Sequence, residues 1–308
     1  MSLPALKAVR EKFPDAKITA MIGKSSTEIV GISGFADEKI VVDRVKLRDG
    51  KKPDSIREVL QIVKDARRRK FDFVIDLHSL YETNLLGFLS GAKYRLYANR
   101  ENRSLDFLAN FQPKPPREDK SLHLTEHYLN TLKPLGIENA APFVEIQPRT
   151  VDLRKIESLF AGFQSKKIVG LFPGAGNPSR RWALEKFVAL AENFSKDENL
   201  QTIVFLGPEE ENLRGEIEKK FPSGAKIIDK LSLLEFVAAL SKIFVLVSND
   251  TGAIHLSAIV GTPIVLVIDK RAPTIYLPLT DKIFVVNDDT IDNIKTETVW
   301  QATQKLLT

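Results

Sequence analysis

The stretch SNDTGAIHLSAIVGTPIVLVI, from Ser248 to Ile268, decides the fold class of this chain. It follows Ile243 to Val247, an apolar and mostly β-branched run that is typical of a buried parallel strand. A polar turn then ends the strand, and a helical pattern starts at Ala253. After Gly261-Thr262-Pro263 a second apolar strand follows. The order strand, turn, helix, strand predicts a parallel α/β unit.

The polar turn lies at the carboxyl end of a strand and at the amino end of a helix. Open α/β sheets bind anionic ligands at this place, because free N–H groups and the helix dipole favour negative charge. Asp250 and Thr251 are candidates to cap the helix, and Gly252 allows a ligand to approach the backbone closely. His255 is expected to project back toward the turn. The pattern predicts a phosphate or sugar-phosphate site, although ordinary capping and a surface histidine explain these residues equally well.

A second loop with the chemistry of a phosphate site is PGAGNPSRRW, Pro173 to Trp182, which follows the predicted strand Lys167 to Phe172. Small residues let its backbone approach a phosphate, and arginines supply charged donors. These residues are Gly174, Ala175, Gly176, Arg180 and Arg181. The alternative is that the two arginines are the solvated start of a helix.

A third turn, Gly207 to Glu211, places glutamates at another strand end. Carboxylates at such a place can hold a ribose hydroxyl, or they can enrich the first turn of a helix. The sequence does not separate these two interpretations.

Composition excludes several classes of site and partner. The chain has 308 residues and a net charge of +5. It contains no cysteine, and this absence rules out disulfides, thiol catalysis and cysteine-based metal sites. His123 and His127 have helical i, i+4 spacing but lack the glutamate of an HExxH motif, so we expect a solvated helix face. Basic runs lack interleaved aromatic residues, so no nucleic-acid partner is expected. There is no apolar run long enough to span a membrane and no visible signal peptide.

The two halves of the chain share one pattern, in which strands alternate with helices. A segment rich in Pro, Ala and Asn, Glu138 to Pro148, reads as a linker between them. We therefore predict two Rossmann-like domains, residues 1–148 and 149–308, that face each other across a cleft. The terminal helix, from about Thr296 to Leu307, is a candidate to pack back on the first domain.

Five segments together resemble glycosyltransferase family 9, the heptosyltransferases of lipopolysaccharide assembly, over nearly the whole chain. They are SLPALKAVREKFPDAKI, FDFVIDLHSL, FPGAGNPSRRW, LGPEEE and KLSLLEFVAALSKIFVLVSNDTGAIHLSAIVGTP. The SNDTGAIHLSA element is the specific one, and the others add support through their order and spacing.

The resemblance implies a fold and a reaction. The fold is GT-B, an α/β architecture of two Rossmann-like domains. The reaction is transfer of a heptose or related sugar from ADP-heptose to an inner-core acceptor, with inversion and with no metal or other cofactor. The implied partners are a nucleotide-diphospho-sugar donor and a lipid-linked sugar acceptor at the inner face of the membrane. The implied location is cytoplasmic, peripheral to the inner membrane.

The resemblance also assigns residues. Ala175 and Gly176 would line the diphosphate loop, and Arg180 stands where the family has a phosphate-binding lysine. Glu211, or Glu210 after a one-residue shift, would contact the ribose. The diphosphate and the donor sugar would meet four residues, Asp250, Thr251, Gly252 and His255.

Two departures from the family pattern affect the catalytic part of the site. The family begins with a strand and a Gly-Asp turn whose Asp is the expected general base, and neither precedes Leu6 here, so we expect both to be missing. Asp76 is a candidate substitute base, but capping of the loop into Ser79 explains it equally well. Ile268-Asp269-Lys270 stands where the family usually has Phe-Gly-Pro, so the family's shape is not expected to carry over to the neighbouring donor loop.

Three functions therefore compete. The first is the glycosyltransferase itself, and the second is a catalytically impaired relative that binds a nucleotide-sugar without turnover. The third is a GT-B epimerase, which would need carboxylates and histidines from both domains, whereas the first half offers only His78 and Asp76. The expected lack of a central strand also predicts lower stability for the first half than for the second.

Overall fold

The computed structural model describes residues 1–43, 46–47, 52–163, 165–207 and 214–307. The chain divides into two compact units, unit 1 at Met1–Val144 and unit 2 at Glu145–Thr308. None of the helices in the described ranges is both long enough and apolar enough to cross a membrane.

Unit 1 contains parallel strands in two separate pairs. Its strands are β1 (Thr19–Gly23), β2 (Glu38–Val42), β3 (Phe73–Asp76) and β4 (Tyr94–Tyr97). Its helices are α1 (Leu3–Lys12), α2 (Thr27–Ser33), α3 (Lys52–Arg69), α4 (Tyr81–Leu89) and α5 (Leu124–Thr131), with short 3-10 turns at Lys24–Ser26, Asp106–Leu108 and Lys133–Leu135. Strand β1 pairs with β2, and β3 pairs with β4. Within the described part of this unit, no ladder joins the two pairs.

One hydrophobic cluster of unit 1 lies between α1 and α5. It includes Ala5 and Ala8 from α1 and Tyr128 from α5, and Ile75 of β3 packs on it while partly exposed. The short side chains of α1 allow α5 to approach closely.

Unit 2 contains one continuous parallel sheet covered by helices. Its strands are β5 (Lys167–Phe172), β6 (Leu200–Phe205), β7 (Lys226–Ile228), β8 (Val245–Asn249), β9 (Ile264–Asp269) and β10 (Ile283–Asp288). Its helices are α6 (Thr150–Leu159), α7 (Leu184–Phe194), α8 (Arg214–Lys220), α9 (Leu233–Leu240), α10 (Gly252–Ile259) and α11 (Thr296–Leu307), with 3-10 turns at Ala161–Phe163, Pro178–Arg180, Thr274–Tyr276 and Ile291–Asn293. The sheet order is β10-β9-β8-β5-β6-β7.

This strand order creates a topological switch point between β5 and β8. The chain proceeds from β5 to β6 on one side, and later from β8 to β9 on the other, so the loops that follow β5 and β8 diverge. Phe172 lies opposite Ser248 in the ladder, so both strands end at the same level. Open α/β sheets bind ligands in the crevice outside such a point.

Most predicted elements of unit 2 are confirmed, and several bounds are exact. The sequence pattern predicts strands at Lys167–Phe172 and Lys226–Ile228, and these are the bounds of β5 and β7. It also predicts helices at Leu184–Phe194, Leu233–Leu240 and Thr296–Leu307, which are the bounds of α7, α9 and α11. Strand β8 lies two residues later than predicted, so Asn249 belongs to the strand and not to the turn. The predicted helix from Glu209 is described only from Arg214, because residues 208–213 lie outside the described ranges. Helix α11 packs on α7 and on β8–β10 of its own unit.

Two predictions for unit 1 were incomplete. Helix α2 was not predicted at all. The single helix predicted from Leu122 to Leu135 is instead α5 followed by a 3-10 turn that contains Pro134. Proline lacks the N–H that a continuing α-helix needs, which explains the break.

Candidate functional site

Asn249 holds together the two loops that leave the switch point. It is the last residue of β8, and its side chain is fully buried. Its Nδ2 donates to the carbonyl oxygens of Pro173 (2.9 Å) and Gly174 (3.3 Å), and its Oδ1 accepts from the Trp182 N–H (3.0 Å). One amide therefore fixes both ends of the loop after β5. No such role was predicted for Asn249 from the sequence, where a polar residue closing an apolar strand was the available signal.

The same two loops form an ion pair. The Arg180 Nη1 lies 3.1 Å from the Asp250 Oδ2. Arg180 ends the short 3-10 turn Pro178–Arg180, which the Asn177 side chain caps by accepting from the Ser179 N–H (3.1 Å). The Arg180 side chain remains about half exposed, at 53%. A guanidinium has five N–H donors, so one contact with Asp250 leaves donors for an anion.

Arg181 has a different environment from its neighbour. Its Nε donates to the Ala175 carbonyl oxygen at 2.8 Å, which holds the glycine-containing turn to the segment before α7. Trp182 follows with its ring buried and its Nε1 donating to the Ile294 carbonyl oxygen (3.0 Å). Neither arginine lies in helix α7, which begins only at Leu184. The alternative that they start this helix is therefore wrong.

The amino end of α10 borders this loop. Thr251 is its N-cap, and its Oγ1 accepts from the Ala253 N–H at 3.2 Å, which confirms the predicted capping role. Gly252 is the first helical residue, and a Cβ added there would meet no heavy atom within 4 Å. The space in front of the helix is therefore open at this point. His255 is the fourth residue of α10 and is half-buried.

Some of the other residues predicted for the donor site also lie at the carboxyl end of this sheet. Gly174 and Ala175 are buried in the loop, whereas Gly176 is exposed. Glu211 and the alternative Glu210 lie outside the described residues. The structure thus brings Gly174–Gly176, Arg180, Arg181 and the Asp250–Gly252 turn together at the end of one sheet, next to a helix amino terminus. That arrangement combines a guanidinium, free backbone donors and a helix dipole, which together suit a diphosphate.

Asp76 lies at the end of β3 in unit 1 and is buried. Its Oδ1 accepts from the backbone N–H groups of His78 (3.1 Å) and Ser79 (2.8 Å), and its Oδ2 accepts from Asn84 Nδ2 (2.8 Å). Burial raises the pKa of Asp76, although these hydrogen bonds oppose the shift. Ser79 has a φ of +47°, so the turn needs this support. The geometry favours the capping interpretation of Asp76 over the role of a base.

The expectation of a solvated face for the two histidines is wrong. His123 is the N-cap of α5, and its Nδ1 accepts from the Thr125 N–H at 3.1 Å. Both His123 and His127 are buried, because α5 turns this side toward α1 and the chain around Glu118. Throughout the described residues, no three His, Asp or Glu side chains cluster closely enough to hold a metal ion.

Known proteins resemble this chain over most of its length. The model of glycosyltransferase family 9 (heptosyltransferase) matches residues 59–303. The lipopolysaccharide core heptosyltransferase OpsX of Haemophilus influenzae is 22% identical over 270 residues, which are 86% of this chain and 73% of that protein.

Two solved structures share the fold. A family 9 glycosyl transferase from Veillonella parvula is 21% identical with a TM-score of 0.85, covering 99% of this chain and 92% of that one. The E. coli heptosyltransferase WaaC with ADP-2-deoxy-2-fluoro heptose is 17% identical with a TM-score of 0.77, covering 99% and 94%. The GT-B fold expected from the sequence is therefore confirmed.

Proposed function

Since this chain belongs to glycosyltransferase family 9, the heptosyltransferase family, and is an enzyme of the glycosyltransferase class, we propose that it transfers a heptose from ADP-heptose to an inner-core lipopolysaccharide acceptor. The observation that carries this proposal is the meeting of Arg180 with the Asp250–Gly252 turn at the switch point of unit 2. The E. coli heptosyltransferase WaaC was solved with ADP-2-deoxy-2-fluoro heptose, which supports ADP-heptose as the choice of donor.

The donor is proposed to bind with its diphosphate at the amino end of α10. There Arg180 supplies charged hydrogen bonds, and the first N–H groups of α10 supply further donors. The small residues Gly174 to Gly176 let the backbone approach the diphosphate. His255 is proposed to contact the donor sugar, and Glu211 or Glu210 the ribose.

The reaction is proposed to be a single in-line displacement with inversion. A hydroxyl oxygen of the acceptor forms a bond to the anomeric carbon, while the bond from that carbon to the diphosphate oxygen breaks. The electron pair leaves with ADP, and the hydroxyl proton passes to a general base. Arg180 and the α10 N–H groups stabilise the charge that develops on the leaving diphosphate, so the proposal includes no metal ion or other cofactor.

The acceptor is proposed to be a lipid-linked sugar at the inner face of the membrane. The protein would accordingly work in the cytoplasm, peripheral to that membrane, with no nucleic-acid partner. Residues Ala98 to Lys120 of unit 1, where basic side chains are frequent, are proposed to contact the acceptor.

The test is an assay of ADP release from ADP-heptose with a heptose-deficient core acceptor, run beside ADP binding. Acceptor-dependent ADP release that Arg180→Ala lowers by about tenfold or more supports the proposal. ADP binding without any transfer would overturn it and identify the alternative, a relative that binds the donor without turnover. Release of ADP without a glycosylated product would also contradict it.

A further inference from the structure

Unit 1 exposes large apolar side chains on neighbouring elements. Six of them are between 45% and 72% exposed, and we call them the apolar patch: Ile56, Leu60, Tyr81, Leu85, Phe88 and Phe107. Among the described residues, none of the six belongs to the cluster between α1 and α5 or to the clusters of unit 2. Clusters of this kind on a soluble surface usually mark an interaction site.

The patch arises because two helices each have apolar side chains on a side that faces away from the core. On α3, Ile62 and Ala66 face inward, whereas Ile56 and Leu60 lie one turn apart on a flank of the helix. On α4, Asn84 and Gly87 are buried, whereas Tyr81, Leu85 and Phe88 form an exposed stripe at i, i+4 and i+7. Each helix therefore has one apolar side that the fold does not cover.

The two helices that carry these stripes contact each other. Arg67, on the same side of α3 as Ile56, donates from its Nε to the Leu89 carbonyl oxygen at the end of α4 (2.7 Å). Phe107 lies in the 3-10 turn Asp106–Leu108, which contacts α4.

A buried network anchors the segment that carries Phe107. The Asn84 Oδ1 accepts from the Ser104 Oγ (2.9 Å) and from the Leu105 N–H (2.8 Å). Hydrogen bonds therefore hold the segment that carries the Phe107 ring in place.

Basic side chains lie on α3 and beside α4, the two helices of the apolar patch. Arg57 and Lys64 lie on the outer face of α3, exposed and without a carboxylate at ion-pair distance in the described part of the chain. Lys93 lies over the Tyr94 ring, and Arg95 lies over the Phe88 ring at 5.4 Å. Exposed carboxylates also lie nearby, namely Asp54, Asp72 and Glu82, while Asp106 beside Phe107 pairs with Lys114 at 3.5 Å.

We propose that this surface of unit 1 docks on an anionic phospholipid bilayer, with the apolar patch entering the headgroup region and the basic residues contacting lipid phosphates. Aromatic and aliphatic side chains with basic neighbours are the composition that binds such interfaces. The inference rests on the proposed function, because an enzyme whose acceptor is lipid-linked must reach the membrane surface. Charge complementarity favours the lipid over a second copy of this chain, which would place like charges together.

The test is co-sedimentation of the whole chain with vesicles. One set contains phosphatidylcholine alone, and the other contains phosphatidylcholine and phosphatidylglycerol in equal parts. Each basic residue near an anionic surface adds about fivefold to binding, so the three exposed ones, Arg57, Lys64 and Lys93, predict a preference of ~100-fold for the anionic vesicles. High salt should reduce this preference.

Two variants with matched controls locate the surface. The triple variant Leu60→Ser, Leu85→Ser, Phe107→Ser should lower binding to anionic vesicles by about tenfold or more, because apolar burial is lost. Its control, Val151→Ser with Tyr276→Ser, changes equally exposed apolar residues of unit 2 and should bind as the unchanged protein does. Arg57→Gln with Lys64→Gln should lower binding by ~20-fold. Its control is Arg154→Gln with Lys219→Gln, which changes exposed basic residues of unit 2.

Equal vesicle binding by the patch variant and its control would overturn the proposal. A dimer in sedimentation velocity that the patch substitutions dissociate, with no vesicle binding, would overturn it in favour of self-association. ADP titration of the same samples keeps the two proposals apart. Loss of vesicle binding with ADP binding intact concerns this surface, whereas absent ADP binding with patch-dependent vesicle binding would contradict only the proposed function.

Discussion

The two units have the same alternation of strands and helices, but they differ in how far their strands are buried from solvent. In the described part of unit 2, the six strands belong to one sheet, and every residue of β6 and β8 is buried. In unit 1, the strands form two separate pairs, and β1 and β3 are mostly half-buried. A continuous sheet can hold the loops at the carboxyl ends of its strands rigidly, which suits a diphosphate site. The looser unit instead carries the exposed apolar surface.

Amide hydrogen exchange should show this difference as the largest effect. We expect amides of β5 and β8 to exchange more slowly than those of β1 and β3 by about 100-fold or more. Two-stranded pairs with open edges unfold locally at low cost, whereas central strands of a larger sheet open only with the whole unit. The measurement is exchange followed by mass spectrometry at peptide resolution. Equal protection of the two sets of strands would refute the comparison.

Substitution of Asn249 should damage unit 2 at the switch point. Asn249→Ala leaves the buried Trp182 N–H and two loop carbonyls without this hydrogen-bond partner. We therefore expect a loss of about 1–3 kcal/mol in the free energy of unfolding. ADP binding should weaken as well, since the loop after β5 loses its tie to β8. Denaturant titration followed by tryptophan fluorescence measures the first effect, and calorimetry the second.

The control for this substitution is Asn287→Ala, at an exposed position of β10 in the same sheet. It should change stability by less than about 0.5 kcal/mol. If the two variants lose the same stability, Asn249 does not hold the loops together in the manner described.

A smaller effect should appear as a pH dependence confined to unit 1. Burial lowers the pKa of His127, as do the charges of Arg100 and His78, while Glu118 at 3.9 Å opposes the shift. Because the unfolded chain binds this proton more readily, the stabilising contribution is present above pH ~6.5 and is lost as the pH falls. Protection of α5 against exchange should therefore decrease from about pH 7.5 to 5.5, after correction for intrinsic rates.

The variant His127→Gln should flatten this dependence, because glutamine does not titrate. Glu118→Gln should make it steeper by removing the group that favours the protonated ring. A decrease of equal size in strand β5 of unit 2 would show that the effect is general and not due to His127.

The sequence was sufficient for elements whose signals are local. Helix α9 has a serine cap and a strong apolar face, and α7, β5 and β7 likewise have the predicted bounds. Helix α2 was missed because TEIVGIS is short and contains β-branched residues and a glycine, so its helical propensity is low. Tertiary context stabilises it despite that composition.

The site was predictable in composition but not in its connections. The residues of both loops were identified, yet the Arg180–Asp250 ion pair and the Asn249 hydrogen bonds join segments about 70 residues apart. Those contacts depend on β5 lying beside β8, which the strand order decides. For His123 and His127, the i, i+4 spacing predicted a helix, and α5 does begin directly after His123, its N-cap. The spacing could not reveal that both side chains are buried.

The most direct test of the central claim, that the switch point of unit 2 binds the donor diphosphate, is titration calorimetry with ADP. We compare the unchanged protein with Arg180→Ala and with Arg154→Ala, a control at an exposed position of α6. A charged hydrogen bond is worth about 1.5–3 kcal/mol, so Arg180→Ala should weaken binding by about 10- to 100-fold, while the control binds normally. Equal affinity for all three, or no binding by the folded protein, would contradict the account.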